Sequence, residues 1–290
     1  MIVKKMSELS VESAVALWNL GFEGYLINST LTVDRFLARA VGEGLSFEHS
    51  LAMYDEQGEP VGLVMNGFRT IAGRKIAWNG GTGIAPAFRG QGFGRQLMER
   101  NLELYREQGV DAALLEALIQ NNAAIRLYQK VGYEISGRLV GLQHEGALNA
   151  DALQANHSYT VKRGRPVEVS RLSFYNAMSA WQTQWNSIKD GESVMITDDA
   201  SVVGYALFKC VYAEDGSLTT VVLYQCEAAP ERKDKREILL AALRVVFAQG
   251  EASSKQLTMN IRQTNHELHE LLVSLGFAPF VEQVHMLRQL

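Results

Sequence analysis

The chain has 290 residues, 47% of them apolar and 21% charged, which suits two ordinary domains with buried cores and excludes bulk disorder. A formal net charge of −4 leaves no electrostatic footprint for nucleic acid or an anionic membrane. No apolar run approaches the roughly 18 residues of a membrane helix, and residues 1–8 lack a secretion signal, so a cytoplasmic setting without membrane contact is expected.

Residues 2–6 alternate weakly and predict a short strand. Ser10 then precedes a helical run containing Ala14, Val15, Leu17 and Trp18, closed by Gly21. A second helix is expected over 32–41. The aromatic-rich connection between the two, with Trp18, Phe22 and Tyr25, reads either as the wall of an acceptor pocket or as core. Residues 50–54 and 61–68 read as paired strands about the turn 55–60. Another strand begins at 74–79 and runs on through Gly80, Gly81 and Gly83. Glycines inside a strand mark a bulge, or close approach of another backbone or a ligand.

That strand leads into Gly83-Ile84-Ala85-Pro86-Ala87-Phe88-Arg89-Gly90-Gln91-Gly92-Phe93-Gly94, and a helix-like run follows over 95–105. Glycines let the backbone turn its N–H groups into one concavity, and the first amides of a helix have no intrahelical acceptor. Arg89 can add a charge-assisted hydrogen bond. The stretch suits an anion cradle, with a ligand-free glycine turn as the alternative. Its Gly-x-Gly-x-Gly spacing is neither the dinucleotide fingerprint nor a P-loop. Gly109 then ends the helix, and the apolar run 111–119 predicts a buried parallel strand, completing one crossover unit. In the next segment Asn121 or Asn122 can cap a helix that Gly132 terminates. Its apolar face carries Ala124, Leu127, Tyr128 and Val131, so Tyr128 points inward. Residues 133–142 and 158–162 are expected to supply the last strands of the first domain.

Two of these stretches resemble the GNAT superfamily of N-acetyltransferases. One is the pyrophosphate loop, matched at Ile84, Pro86, Arg89, Gly90, Gly92 and Gly94. The other is the helix motif matched at Asn121, Ala124, Leu127, Tyr128, Lys130, Gly132 and Tyr133. The resemblance implies an α+β or α/β domain with a mixed, mostly antiparallel central sheet, a splayed strand pair and flanking helices. It implies acetyl-CoA as acyl-donor co-substrate, held by Gly83, Ile84, Arg89, Gly90, Gln91, Gly92, Phe93, Gly94, Arg95 and Asn121. Backbone N–H groups around Gly83 and Ile84 would polarise the thioester carbonyl, and Tyr128 would protonate the departing thiolate. Many family members carry a basic carboxylate on the splayed strand, but residues 77–82 hold none. Glu116 interrupts an apolar strand and needs a partner, a water path or a substrate ammonium, since burying it unpaired is costly. A structural salt bridge or hydrogen bond is the preferred reading, with a base or substrate-binding role as the functional alternative, and Glu23 is a weaker candidate base.

The chain also repeats. Pro86 and Pro230, Asn121 and Asn265, Gly132 and Gly276, and Tyr133 and Phe277 are each 144 positions apart, and Leu268, Leu271, Leu272 and Leu275 repeat the helix face. A GNAT acetyltransferase domain over 1–164 and a degenerate copy over 165–290 are expected. The copy should have strands near 193–197, 202–212, 218–225 and 256–261, and helices starting near Ser173, near Glu231 and at Asn265. At the loop position it reads Pro230-Glu231-Arg232-Lys233-Asp234-Lys235-Arg236-Glu237, without glycine, and Leu272 replaces Tyr128. Such a copy should lose CoA binding. Cys210 and Cys226 flank a hairpin turning at 214–217 whose register sets Cys210 opposite Val221, so they read as separate buried thiols.

The reading is an N-acetyltransferase that moves an acetyl group from acetyl-CoA to a small-molecule or peptide amine by direct attack in a ternary complex. No metal is required, and a homodimer is an open option. A non-catalytic acyl-CoA sensor or protein-interaction module is the rival from another class, and a longer acyl chain or a protein amine is the rival within enzymes.

Overall fold

The structure, a computed structural model, describes residues 1–248, 250–251 and 253–290. Contacts divide it into two compact units, Met1–Ser136 with Val284–Leu290, and Gly137–Gln283.

The first unit contains β1 (Ile2–Lys5), α1 (Val11–Gly21), α2 (Val33–Glu43), β2 (Leu45–Tyr54), β3 (Pro60–Ile71), β4 (Arg74–Ile84), α3 (Phe93–Glu107), β5 (Ala112–Leu118), α4 (Asn122–Lys130) and the start of β6 (Glu134–Glu145). Its strands lie in the order β1-β2-β3-β4-β5, antiparallel except for the parallel pair β4–β5. Small polar side chains begin the helices. Ser10, Thr32 and Asn121 each accept a hydrogen bond from the backbone N–H three residues on, satisfying a donor that would otherwise be orphaned. Strand alternation then supplies two apolar faces. Leu63 and Met65 pack with Trp18 and Phe36 of α1 and α2, while Val64 and Ala77 pack with Leu97, Met98, Tyr105 and Tyr128 of α3 and α4.

The second unit takes β6 from Gly137 onward and adds β7 (Thr160–Gly164), α5 (Pro166–Val169), β8 (Glu192–Asp198), β9 (Ser201–Tyr212), β10 (Leu218–Ala228), α6 (Lys235–Phe247), β11 (Lys255–Thr258), β12 (Ile261–Arg262), α7 (His266–Ser274) and β13 (Ala278–Gln289) up to Gln283. Strand order is β6-β11-β10-β9-β8-β7, with β12 also on β6. Helix α6 buries Ile238, Leu239 and Leu243 against Val194, Ala206, Val221 and Leu223.

The mixed, mostly antiparallel sheet with flanking helices is as expected, but three details differ. The division by contacts does not fall at 164/165. Residues 137–145 pair with β11 and β12, and β7 pairs with β8, so neither expected strand completes the first unit; Val284–Leu290 joins it instead. No helix starts near Ser173. There Gln225 donates to the Thr183 carbonyl (2.8 Å) and to Ser179 (2.7 Å), and local turns carry the chain. Helix α6 begins at Lys235 rather than Glu231. Cys210 does lie opposite Val221, and both cysteines are free. No described helix is long and apolar enough to cross a membrane.

Candidate active site

The site is built where β4 and β5 part. Their parallel pairing runs from Ile76–Ala112 to Asn79–Leu115 and stops there, although β4 continues to Ile84 and β5 to Leu118. Just past that point Gly80 is the extra residue of a bulge against β3, and its carbonyl accepts a 2.5 Å hydrogen bond from Arg39. The strand glycines admit α1. A Cβ on Gly81 would lie 2.7 Å from the Trp18 ring, and one on Gly83 would lie 2.9 Å from the Gly21 backbone. The close approach that the glycines forecast is therefore met here by α1.

Alternation along β4 separates the two expected backbone donors. Ala85 donates to the Val61 carbonyl (2.9 Å), so Gly83, two residues earlier, also turns its N–H toward β3. The N–H of Ile84 faces the opening. Its carbonyl does too, and accepts from Arg89 Nε at 2.8 Å. Arg89 also donates to the carbonyls of Gly21 (3.2 Å) and Glu23 (2.6 Å), so much of its guanidinium ties the loop to the end of α1.

The loop itself turns through Gly90 (φ 76°) and Gly92 (φ 88°), conformations that L-residues resist. Gly92 caps α3, whose first i→i−4 bond runs from Gln96 to the Gly92 carbonyl. The amides of Phe93 and Gly94 precede that bond and have no intrahelical acceptor, which together with the helix dipole favours an anion.

These elements surround a cleft of about 720 Å³ lined by Phe22, Tyr25, Thr82, Ile84, Phe88, Arg89, Gly90, Gly92, Gly94, Arg95, Asn121 and Tyr128, among others. Most of the expected cofactor residues thus share one space; Gly83, Gln91 and Phe93 do not line it. Tyr128 is 7% exposed, burial pushes its pKa up to about 12, and a hydrogen bond with Thr82 opposes that shift. Thr82 also accepts from Asn79 Nδ2 at 2.7 Å. Nothing in the sequence singled out Thr82, because its role depends on the splay. The oxygen of Asn121 is spent on capping α4.

Glu116 stands one residue beyond the last β4–β5 pair and does not line the cleft. Its carboxylate accepts from Trp78 Nε1 at 2.7 Å and lies 3.7 Å from His285 Nε2, with only 4% of the side chain exposed. The structure thus supplies the pairing that its burial required. His285 was not foreseen, since it comes from the end of the chain. Glu23 is exposed and contributes only its carbonyl, to Arg89.

The second unit repeats the frame with a different lining. Glu227, 144 positions after Gly83, accepts from Arg262 Nη2 (2.9 Å) and Asn265 Nδ2 (3.1 Å), and Asn265 also donates to the Cys226 carbonyl at 3.1 Å. Besides a void of about 10 Å³ lined by these side chains, a hollow of about 410 Å³ is lined by Ala228, Pro230, Lys235, Asn265 and His266, the positions 144 after Ile84, Pro86, Gln91, Asn121 and Asn122, so the counterpart of the cleft is smaller rather than closed. In place of the glycine loop, Arg232 bonds Asp234 and Asp198, and Tyr159 donates to Asp234 at 2.7 Å. Burial raises the pKa of Glu227, opposed chiefly by Arg262.

Residues 13–133 match the model of the Acetyltransferase (GNAT) family. No curated protein matches the sequence. Among solved structures, a GCN5-related glucosamine N-acetyltransferase region of a fungal multi-domain β-N-acetylglucosaminidase aligns over 98% of this chain and 38% of its own length, with 16% identity and a TM-score of 0.69. A GCN5-related N-acetyltransferase from Sphaerobacter thermophilus aligns over 99% and 95%, at 14% identity and TM-score 0.65. A tandem GNAT protein from the clavulanic acid biosynthesis pathway aligns over 99% and 97%, at 14% identity and TM-score 0.62. At such identities these neighbours speak for the fold, along nearly the whole chain. Residues 13–133 thus carry the GNAT acetyltransferase domain that the family model describes, within a fold that these neighbours share along nearly the whole chain.

Proposed function

We propose that the first unit transfers an acetyl group from acetyl-CoA to a primary amine by direct attack in a ternary complex, and that the second unit binds no acyl-CoA. The observation that supports this most is the single cleft in which the glycine loop, the free N–H of Ile84 and the Tyr128 hydroxyl meet at the strand splay. The residues fit the cofactor's parts. The amides at the start of α3 would take the diphosphate, and the splay would admit the pantetheine arm as one more strand-like element, hydrogen-bonding to β4. Ile84 N–H would meet the thioester oxygen, where charge develops on attack. Tyr128 would donate to the sulfur as its bond to carbon breaks. The amine must reach the carbonyl without its proton, and the buried pair of Glu116 and His285, on the Trp78 side of β4, would accept it.

The carboxylates of Glu227 and Asp234 support silence of the second unit, because they stand near where the first unit presents its glycine loop and would repel a diphosphate. Calorimetric titration of the whole chain with acetyl-CoA, followed by a screen of acceptor amines for thiol release, tests both statements. One site per chain with amine-dependent release is expected. Two sites would overturn the silent second unit, and binding without release to any amine would favour a sensor.

A further inference from the structure

We propose that Arg39, on α2, is a positioning residue for acyl transfer: it pins the bulge of β4 and so sets which side chains and which amide the strand turns into the cleft. The inference rests on the acyl-transfer reading and adds what holds the site in its working shape.

The bulge decides the facing of β4. Ahead of it Trp78 turns to Glu116, while Asn79 on the other face lies against Met98 of α3, with Nδ2 3.4 Å from the sulfur. Strict alternation would put Thr82 on the Trp78 face. Gly80, the extra residue between the pairs Asn66–Asn79 and Met65–Gly81, reverses the order. Thr82 therefore joins Asn79 on the α3 side, where it meets Tyr128. The inserted residue also shifts the ladder by one place, which leaves the N–H of Ile84 rather than that of Gly83 turned to the opening.

This stretch of β4 has no side chains with which to hold such a bulge. Around Gly81 and Gly83 α1 leaves no room for one, and a Cβ on Gly80 would lie 2.6 Å from the Trp78 ring. Arg39 supplies the anchor from outside. Its Nη2 donates to the Gly80 carbonyl at 2.5 Å, its Nε pairs with Glu43 at 2.9 Å, and the guanidinium lies 4.7 Å from the Trp18 ring centroid. Among the described residues the remaining nitrogen, Nη1, is buried without a hydrogen-bond partner. Burying a donor that way is unfavourable, so packing of α2 on the sheet gives no reason for an arginine here.

The repeat supplies an internal comparison. Strand β10 carries a bulge at the corresponding place, where Tyr224, 144 positions after Gly80, is the extra residue between the pairs Leu223–Phe208 and Gln225–Leu207. There the strand anchors itself. Gln225 Nε2 donates to Ser179 Oγ (2.7 Å) and to the Thr183 carbonyl (2.8 Å), in the segment ahead of β8, and its Oε1 accepts from Tyr205 at 2.8 Å. The tie runs outward from the strand in one copy and inward from α2 in the other. A neutral amide with partners at both ends is enough to keep a bulge in this fold. The charged tie occurs in the copy that has the glycines and the larger cleft.

The test compares the wild type with Arg39→Met and Arg39→Lys, by single-turnover acetyl transfer to an accepted amine and by calorimetry with acetyl-CoA. Methionine keeps the stem against Trp18 and drops the donor, so transfer should slow by about tenfold or more while acetyl-CoA affinity, set at the glycine loop, moves less than about threefold. Lysine can still donate to the Gly80 carbonyl and should hold transfer within about threefold of wild type. Thr82→Val, alone and combined with Arg39→Met, gives a readout that a merely structural role would not move. Because Arg39 acts through the placement of Thr82, the double variant should be no more than about twofold slower than the slower single one. Should Arg39→Met not fold, Arg39→Gln, whose amide falls short of that carbonyl, replaces it with the same expectation. Unchanged transfer in the variant, lysine as slow as methionine, or slowing that multiplies in the double variant would overturn the positioning role and leave the acyl-transfer reading standing. A wild type that transfers acetyl to no amine would overturn both.

Discussion

Replacing Tyr128 by Phe removes one oxygen from a side chain whose ring packs in the α3–α4 core, so the fold should lose little. The hydroxyl bonds Thr82, and a hydrogen bond of that kind contributes ~1 kcal/mol. Thr82 keeps its bond from Asn79 at 2.7 Å, so no buried group is stranded. The catalytic effect follows from the raised pKa of about 12. A thiolate whose thiol has a pKa of roughly 8.5 cannot pull a proton fully from such a phenol, because transfer would be uphill by ~5 kcal/mol. The hydroxyl therefore acts by donating a hydrogen bond to the sulfur as charge gathers there. Such a bond to a charged group contributes about 1.5–3 kcal/mol, which is roughly 10- to 150-fold in rate. Single-turnover acetyl transfer with a saturating amine should slow by that factor, while calorimetric affinity for acetyl-CoA changes less than about threefold. Unchanged turnover would refute the assignment. A loss of ~10⁴-fold with the fold intact would refute the hydrogen-bond argument in favour of full proton transfer.

The loop predicts a contrast between two variants of Gly92. Ala and Glu should each lose ~1–2 kcal/mol in urea unfolding, because φ is 88°, but only Gly92→Glu should weaken acetyl-CoA by more than about tenfold in calorimetry. Glu116→Gln keeps an acceptor for Trp78 Nε1, so thermal unfolding should barely move. Turnover should fall at least about tenfold for amines protonated at neutral pH and stay near wild type for weakly basic amines; equal loss on both would mark Glu116 as structural. Alkaline stability carries a sign. The unfolded chain ionises Tyr128 near pH 10 and the folded chain holds the proton to about 12, so this contribution is full below pH 10 and lost as pH rises. Wild type should lose about 2 kcal/mol more than Tyr128→Phe between pH 9 and pH 12, and parallel curves would show that the phenol is not so deeply buried.

What the sequence disclosed was whatever a short stretch decides for itself. The Asn121 cap, the inward face of α4, the φ-positive glycines of the loop and the Cys210–Val221 register all depend on residues near one another in the chain. Strand exchange was illegible for a physical reason. Residues 134–145 and 278–289 are copies 144 positions apart, with similar alternation, so pattern alone cannot say which copy completes which sheet. Arg89 shows the same limit at the site, because its partners are carbonyls of Gly21, Glu23 and Ile84, and any residue could supply them. The failed helix near Ser173 has another cause: buried Gln225 holds that segment through side-chain hydrogen bonds to Ser179 and Thr183, and periodicity carries no trace of those.

Because the chain builds one frame twice, it separates what the frame needs from what the chemistry needs. Asn121 and Asn265 cap their helices in the same way, and β4–β5 and β10–β11 stop pairing at positions 79 and 223, a full repeat apart. Those features belong to the fold. The residues that differ lie around the opening: Gly83 against Glu227, Thr82 against Cys226, Glu116 against Asn260 and Tyr128 against Leu272. The change at Gly83 follows the packing of α1. Gly83 has no side chain, and its place against α1 leaves no room for one, whereas Glu227 projects a carboxylate that Arg262 and Asn265 hold and that lines the second unit's hollow. The lining has therefore diverged between the two copies, while the core built from α6, α7 and the strands keeps the frame.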